Sequence, residues 1–185
     1  NVGTTVTLTG STSNIRSMSS VDGLLFTATS SAVTASTSSN FYFDKTLSAS
    51  TISITTTSLV NSAASGNIGH LLYVGQTMSS STLAVVGCPV VTLQPAGSFA
   101  VIGASVSSSV FTIRTSTIVG GTILSVGGAL TSVGITITNS ALTAQTSGIT
   151  VSGTSGSTLV TMQIVSSTFS VVGGPAIVLQ PYSAT

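Results

Sequence analysis

The stretch that decides the fold is Thr51–Leu59, which reads TISITTTSL. Its apolar residues are Ile52, Ile54 and Leu59, and every other position carries a hydroxyl side chain. Apolar residues two apart share one face of a β-strand, because successive side chains of a strand point to opposite faces. The β-branched Ile and Thr residues also favour strands. The polar residues before Leu59 predict a corner between two short strands.

This pattern recurs six times along the chain. Each copy has an apolar residue, a second two positions later, four intervening residues and then a third apolar residue. Gln76 is the one clear departure, and the third members follow one another at steps of 26, 24, 35, 24 and 27 residues. The copies are Phe26/Ala28/Val33, Ile52/Ile54/Leu59, Gln76/Met78/Leu83, Phe111/Ile113/Ile118, Ile135/Ile137/Leu142 and Met162/Ile164/Phe169. A hydroxyl residue stands two positions before each third member: Ser31, Thr57, Ser81, Ser116, Ser140 and Ser167.

A longer repeat of about 85 residues is also present. Val85–Pro95 matches Val171–Pro181 at an offset of 86, and Phe26–Val33 lies 85 residues before Phe111–Ile118. We therefore expect one domain over 1–185, with a first unit at about 6–90, a second at about 91–176 and the start of a third at 177–185. In this alignment Cys88 takes the position of Gly174, a small-residue site near a corner.

Short strands that recur in one direction with small-residue corners indicate a solenoid. One coil cannot bury its own apolar face, whereas stacked coils form a continuous core. The sequence therefore predicts an all-β, right-handed parallel β-helix of about six coils. Two tandem β-sandwiches are the competing architecture, because each unit has the size of an immunoglobulin-like domain. The absence of Trp and of a Cys pair, together with the fine repeat, argues against sandwiches.

The repeated apolar-x-apolar coil with Ser, Thr, Asn and Gly corners resembles the right-handed parallel β-helix repeats of large surface or secreted proteins of pectin-lyase-like architecture. The resemblance is one of pattern and covers nearly the whole chain. It implies the scaffold. Enzymes of that architecture carry clustered carboxylates and basic residues on one face. Here Asp22 and Asp44 are the only carboxylate side chains and fall in different coils, so we expect no enzyme.

Composition excludes several classes of function. Charged residues make up 3% of the chain, the net charge is +1, and 36 Ser and 32 Thr supply most of the polar surface. Three basic residues cannot neutralise a nucleic-acid backbone, so nucleic acid is not an expected partner. A hydrophobic fraction of 42% argues against disorder. No apolar run is long enough to span a membrane as a helix.

Few residues offer chemistry. His70 is the only imidazole, and we expect it in a loop rather than in a catalytic triad. The spacing of His70, Cys88 and the two Asp residues supports no metal site, and we expect no cofactor. Aromatic and charged residues meet only at Asn40–Lys45. Phe41, Tyr42 and Phe43 are therefore a candidate interaction loop, although a corner whose aromatic side chains pack back onto the solenoid is the favoured interpretation.

Hydroxyl side chains on outward strand positions are candidates for O-linked sugar, and none of the six Asn residues begins an N-glycosylation sequon. An apolar-leaning chain with almost no charge needs a solubilising coat or burial in an assembly. The candidate O-glycosylation sites are Ser53, Thr55, Thr112, Thr136 and Thr138.

We expect a structural subunit or segment of an extracellular β-helical fibre or cell-surface layer. Its partners would be further copies stacked head to tail, or flanking repeats of the same chain, together with covalent glycans. The stacking expectation rests on Ile177–Leu179, which we place in the same phase as Val6–Leu8, and on terminal strands without charged residues to block pairing.

A ligand-reading β-helix is the alternative. An ice-binding surface could use the Thr-x-Thr pairs at Thr5–Thr9, Thr27–Thr29 and Thr136–Thr138, which do not recur on every coil. A glycan-adhesive surface would use the aromatic residues at Phe41–Phe43.

Overall fold

The computed structural model describes residues 7–10, 15–35, 38–62, 69–93, 96–153 and 156–179. The described chain is all β, and its 23 strands form parallel sheets stacked as a solenoid of about six turns. The predicted parallel solenoid is therefore confirmed, and the sandwich alternative is wrong. Each turn visits three sheets in the order A, B and C, and sheet A consists of two side-by-side ladders that we name A1 and A2.

Sheets B and C form the most regular part of each turn. Sheet B contains β3 (Val21–Asp22), β7 (Leu47–Ser48), β11 (Met78–Ser79), β15 (Val106–Ser107) and β18 (Leu130–Thr131). Sheet C contains β4 (Leu25–Thr29), β8 (Thr51–Thr55), β12 (Thr82–Val86), β16 (Val110–Arg114), β19 (Gly134–Thr138) and β21 (Thr161–Val165).

Sheet A is interrupted in the early turns and continuous in the later ones. Ladder A1 contains β1 (Thr7–Gly10), β5 (Ala32–Ala35), β9 (Ser58–Asn61), β13 (Val91–Thr92) and β22 (Thr168–Val171). Ladder A2 contains β2 (Ile15–Ser17), β6 (Phe41–Phe43), β10 (Leu72–Val74), β14 (Ser98–Ile102) and β23 (Ile177–Leu179). Two long strands, β17 (Thr117–Val126) and β20 (Ala141–Val151), belong to both ladders.

The core is built by alternation on sheet C. Ile52 and Ile54 are buried, whereas Ser53 between them is half-exposed. The same rows continue through the pairs Ile52↔Leu83 and Ile54↔Val85. Burying an aliphatic side chain of this size stabilises a fold by about 1.5–3 kcal/mol. The predicted inward direction of the triplets is confirmed for the inner turns, since one continuous apolar cluster runs along the axis.

The third triplet was misaligned. Leu83 pairs with Ile52 and therefore begins a triplet rather than ending one, and the third member of that turn is Val91, which pairs with Leu59. Gln76 is exposed and lies outside sheet C. The true pattern is hidden in the sequence because this turn carries Cys88 where its neighbours have a hydroxyl, and one extra residue before Val91.

Strand pairing also separates two segments whose sequences match. Phe26 and Phe111 occupy one row of sheet C, as their offset of 85 indicates. In contrast, Val85 pairs with Ile113 in sheet C, whereas Val171 pairs with Ala144 in ladder A1. The match between 85–95 and 171–181 is thus a likeness of sequence and not of place in the coil. The division into units at 6–90 and 91–176 stays a prediction.

The predicted common phase of the two chain ends is wrong for the strands that the structure describes. Thr7–Gly10 begins ladder A1, with Thr7 opposite Ala32. Ile177–Leu179 instead extends ladder A2, with Ile177 opposite Ile149. The apolar-x-apolar pattern cannot distinguish the two ladders, because both bury alternate residues. Val6 lies outside the described residues.

Hydroxyl groups form the corners. Where sheet C turns into ladder A1, a residue of positive φ is followed by a buried small side chain, as at Thr115–Ser116 with φ 48° at Thr115. The Ser116 hydroxyl donates to the Arg114 carbonyl at 2.8 Å and accepts from the Cys88 N–H of the preceding turn at 3.1 Å. The same contacts repeat one turn later at Ser140. This ladder holds one turn onto the next and explains much of the Ser and Thr content.

Candidate functional site

The predicted aromatic loop is a strand. Phe41 and Phe43 lie in β6 with both side chains buried in the core, so the loop interpretation is wrong for them. The physical reason is alternation, because residues on either side of an outward residue must point inward. Only Tyr42 faces outward. Its place in the sheet rather than in a corner also differs from the favoured sequence interpretation.

Tyr42 belongs to an aromatic column on the outer face of ladder A2. Its ring stacks on that of Tyr73, with centroids 4.9 Å apart and planes 12° apart, and the Arg16 guanidinium lies 5.2 Å from the Tyr42 centroid. The register Arg16↔Tyr42↔Tyr73 produces this alignment. The Tyr42 hydroxyl donates to Asp44 at 3.3 Å. Burial, and secondarily the charge of Asp44, raises the pKa of Tyr42.

His70 is a buried structural side chain. Its Nδ1 accepts the Ser98 N–H at 3.0 Å, and its ring lies 6.0 Å from that of Tyr73. Burial lowers the pKa of His70 to about 4. The neighbouring Asn61 amide donates to the Ser38 and His70 carbonyls and to the Asn40 side chain. This network joins ladders A1 and A2 where the chain leaves sheet A between them.

Cys88 is a member of the corner ladder. It is fully buried, and its thiol lies 3.6 Å from the Ile54 carbonyl and 3.7 Å from the Val86 carbonyl. Burial raises the pKa of the Cys88 thiol. The residue stacks between Thr57 and Ser116, not at the position of Gly174 as the sequence alignment had it. A buried, protonated thiol behaves as a small apolar side chain.

The candidate O-glycosylation residues all lie on the outer face of sheet C. All five side chains are half-exposed, and each alternates with buried positions of its strand. Two rows run across the sheet: Thr27, Ser53, Ala84, Thr112, Thr136 and Gln163, and then Thr29, Thr55, Val86, Arg114, Thr138 and Val165. The structure therefore brings Thr27–Thr29 and Thr136–Thr138 to one register, which the sequence did not reveal. Thr7 and Thr9 belong to ladder A1 instead.

The last described turn exposes core positions that are buried elsewhere. Ile164 is 40% exposed, whereas its partner Ile137 in the preceding turn is 1% exposed. Leu179 is 60% exposed although it continues the row of the buried Val151. Of the exposed large apolar side chains in the described chain, seven of eleven lie between 159 and 179. We name this surface the end face.

The end face contains an apolar pocket of about 460 Å³. Its lining comes from the edges of sheets B and C and of ladder A2, with Val151 at its base. The apolar lining residues are Leu130, Val151, Leu159, Val160, Met162, Ile177 and Leu179. Strand β21 pairs with β19 on one side and with no described strand on the other. The residues from 156 to 179 carry no charge. This surface has the apolar rows and free strand edges on which a further turn could stack.

Asp22 and Asp44 are not brought together with other ligands. Among the described residues, no group of three His, Cys, Asp or Glu side chains could hold a metal ion. No helix that could cross a membrane occurs in this part of the chain. In comparisons with known proteins, no family model, no curated protein and no solved structure matches the chain.

Proposed function

We propose that the chain is a structural segment of an extracellular β-helical fibre or cell-surface layer, and that it is extended along its axis by stacking on the end face. The observation that carries this proposal is the contrast between the buried core rows of the inner turns and the exposed rows at Ile164 and Leu179. Apolar patches of this kind mark interaction surfaces in soluble proteins. An unblocked strand edge favours pairing with another chain.

Electron microscopy of the native material tests the proposal. Axial stacking predicts unbranched filaments of one width, with the strand spacing of roughly 4.8 Å repeated along the axis. Sedimentation of the purified chain should show mass that grows with concentration, because a heterologous contact that does not close gives open assemblies. A discrete monomer in both measurements would rule out the fibre.

O-linked sugar on the outer face of sheet C is part of the same proposal. The hydroxyls of Ser53, Thr112 and Thr136 are half-exposed, unlike the buried corner hydroxyls. The intact mass of the native protein tests this step, since glycosylation predicts a mass above the 18.2 kDa of the bare chain. A native mass equal to that of the bare chain would remove it.

A lattice-binding surface is the second candidate, and the shared register of Thr27–Thr29 with Thr136–Thr138 favours it. Thermal hysteresis tests ice binding, and a double Thr136→Leu, Thr138→Leu variant should abolish it. A glycan-adhesive function would rest on Tyr42. It predicts binding to a glycan array that is lost in Tyr42→Ala.

A further inference from the structure

The end face has a step. Along the chain the last described strands fall in sheet C (β21), ladder A1 (β22) and ladder A2 (β23). Sheet B ends earlier, in a single bridge between Thr131 and Thr158. Every inner turn passes from ladder A2 to sheet B and then to sheet C. The next positions to be filled are therefore one strand on Thr158 and one strand on β21.

The segment that fills these positions in the inner turns has a constant length. From the first residue of sheet B to the last of sheet C it spans nine residues in every turn, as in Leu47–Thr55 and Leu130–Thr138. We name it the B–C segment. Its third residue has positive φ in five turns in which it is not Gly, for example Ser132 with φ 55°. Its sixth and eighth residues point into the core, like Ile135 and Ile137.

We propose that the end face binds, by parallel strand addition, a B–C segment supplied by another polypeptide chain. This inference rests on the proposed function and names the partner of the same surface. The pocket lies over the unfilled step, since Thr158, Leu159 and Met162 line it together with Ile177. The incoming segment would place its sixth residue on Met162 and its eighth on Ile164, which continues the rows of Ile135 and Ile137.

The free strand edge selects a polypeptide over a small apolar ligand. An apolar molecule could fill the pocket but would leave the outer edge of β21 without hydrogen-bond partners. An extended segment satisfies both the edge and the apolar rows, which is how strand addition combines affinity with specificity. The contact that forms is the same one that already joins each inner turn to the next.

Stacking of whole copies also needs this segment. If Thr7–Gly10 of one copy lies on Thr168–Val171 of another, ladder A1 continues, and Ile15–Ser17 can then continue ladder A2 on Ile177–Leu179. In that arrangement β3 and β4 belong to the following turn, because they come after β2 along the chain. Sheets B and C are then one strand short. A B–C segment closes the gap.

A peptide of this chain's own sequence is the direct probe. A fluorescent peptide of Ala129–Asn139, which contains one complete B–C segment, is titrated with the 185-residue protein and followed by fluorescence anisotropy. Saturable binding is expected. The control peptide carries Ile135→Asp and Ile137→Asp, and it should bind at least about tenfold more weakly because it would bury two unpaired charges.

Two protein variants locate the binding site. Ile164→Asp places a charge on the end face and should weaken binding of the unmodified peptide at least about tenfold. Val110→Asp is the matched control, because Val110 is 42% exposed, close to the 40% of Ile164, but lies on the outer face of sheet C. Val110→Asp should bind like the unmodified protein. In hydrogen exchange, bound peptide should protect the amides of 157–165.

No binding of the peptide, or equal binding to Ile164→Asp and Val110→Asp, would overturn the inference. Either result leaves the fibre proposal open to its own test, since fibres could then form through another surface. Peptide binding without filaments would have the opposite meaning. It would uphold the strand-acceptor surface and remove the fibre.

Discussion

The corner ladder makes a quantitative prediction for Ser116→Ala. In the structure this hydroxyl donates to the Arg114 carbonyl and accepts the buried Cys88 N–H. The Arg114 carbonyl keeps a second donor, the Gly87 N–H at 2.8 Å, whereas no other acceptor faces the Cys88 N–H. The substitution therefore removes one hydrogen bond and leaves one buried donor unsatisfied. An unsatisfied buried donor costs roughly 1–3 kcal/mol, so the unfolding free energy should fall by about 2–3 kcal/mol.

Urea unfolding followed by circular dichroism measures this change. The midpoint should fall while the slope stays constant, since the surface exposed on unfolding is nearly the same. Ser53→Ala is the matched control, because it removes the same hydroxyl from a half-exposed strand position on sheet C. The control should change stability by less than about 0.5 kcal/mol. If Ser116→Ala costs no more than Ser53→Ala, the hydroxyl ladder does not hold the turns together.

Three further predictions concern the core and the titratable groups. Because the pKa of His70 is lowered to about 4, the unfolded state binds the extra proton first, so stability should decrease by about 3 kcal/mol as the pH falls from 6.5 to 4. This dependence should vanish in His70→Gln, and urea midpoints that do not depend on pH in the unmodified protein would contradict the assignment. Ile137→Asp should prevent folding at neutral pH, because it buries an unpaired charge; a native circular dichroism spectrum would show the core assignment to be wrong. Cys88→Ser should change stability by less than about 1 kcal/mol, because a hydroxyl can donate to the Val86 carbonyl as at the other corners, and a larger loss in thermal unfolding would mean that the thiol packs as an indispensable apolar group.

The sites were harder to predict than the fold. Tyr42 was correctly singled out, but its neighbours Phe41 and Phe43 were assigned to a loop because three consecutive aromatic residues show no alternation. The partners of Tyr42 come from other turns, and Tyr73 lies 31 residues away in sequence. The signal for the B–C segment was present in the sequence as a constant spacing of nine residues. It was missed because the third triplet was aligned one corner too early.

By itself, the sequence determined the solenoid. Alternating apolar residues, as at Ile52 and Ile54, specify which face of each strand is buried, and a single coil with one buried face must stack on others. The tertiary structure alone decided register. Whether Val91 or Leu83 completes a turn, whether Ile177 belongs to ladder A1 or A2, and which edge is left open at the end face depend on loop lengths and corner contacts between turns. These contacts join residues 24 to 34 positions apart, and many of them involve backbone atoms, whose positions no local pattern of side chains encodes.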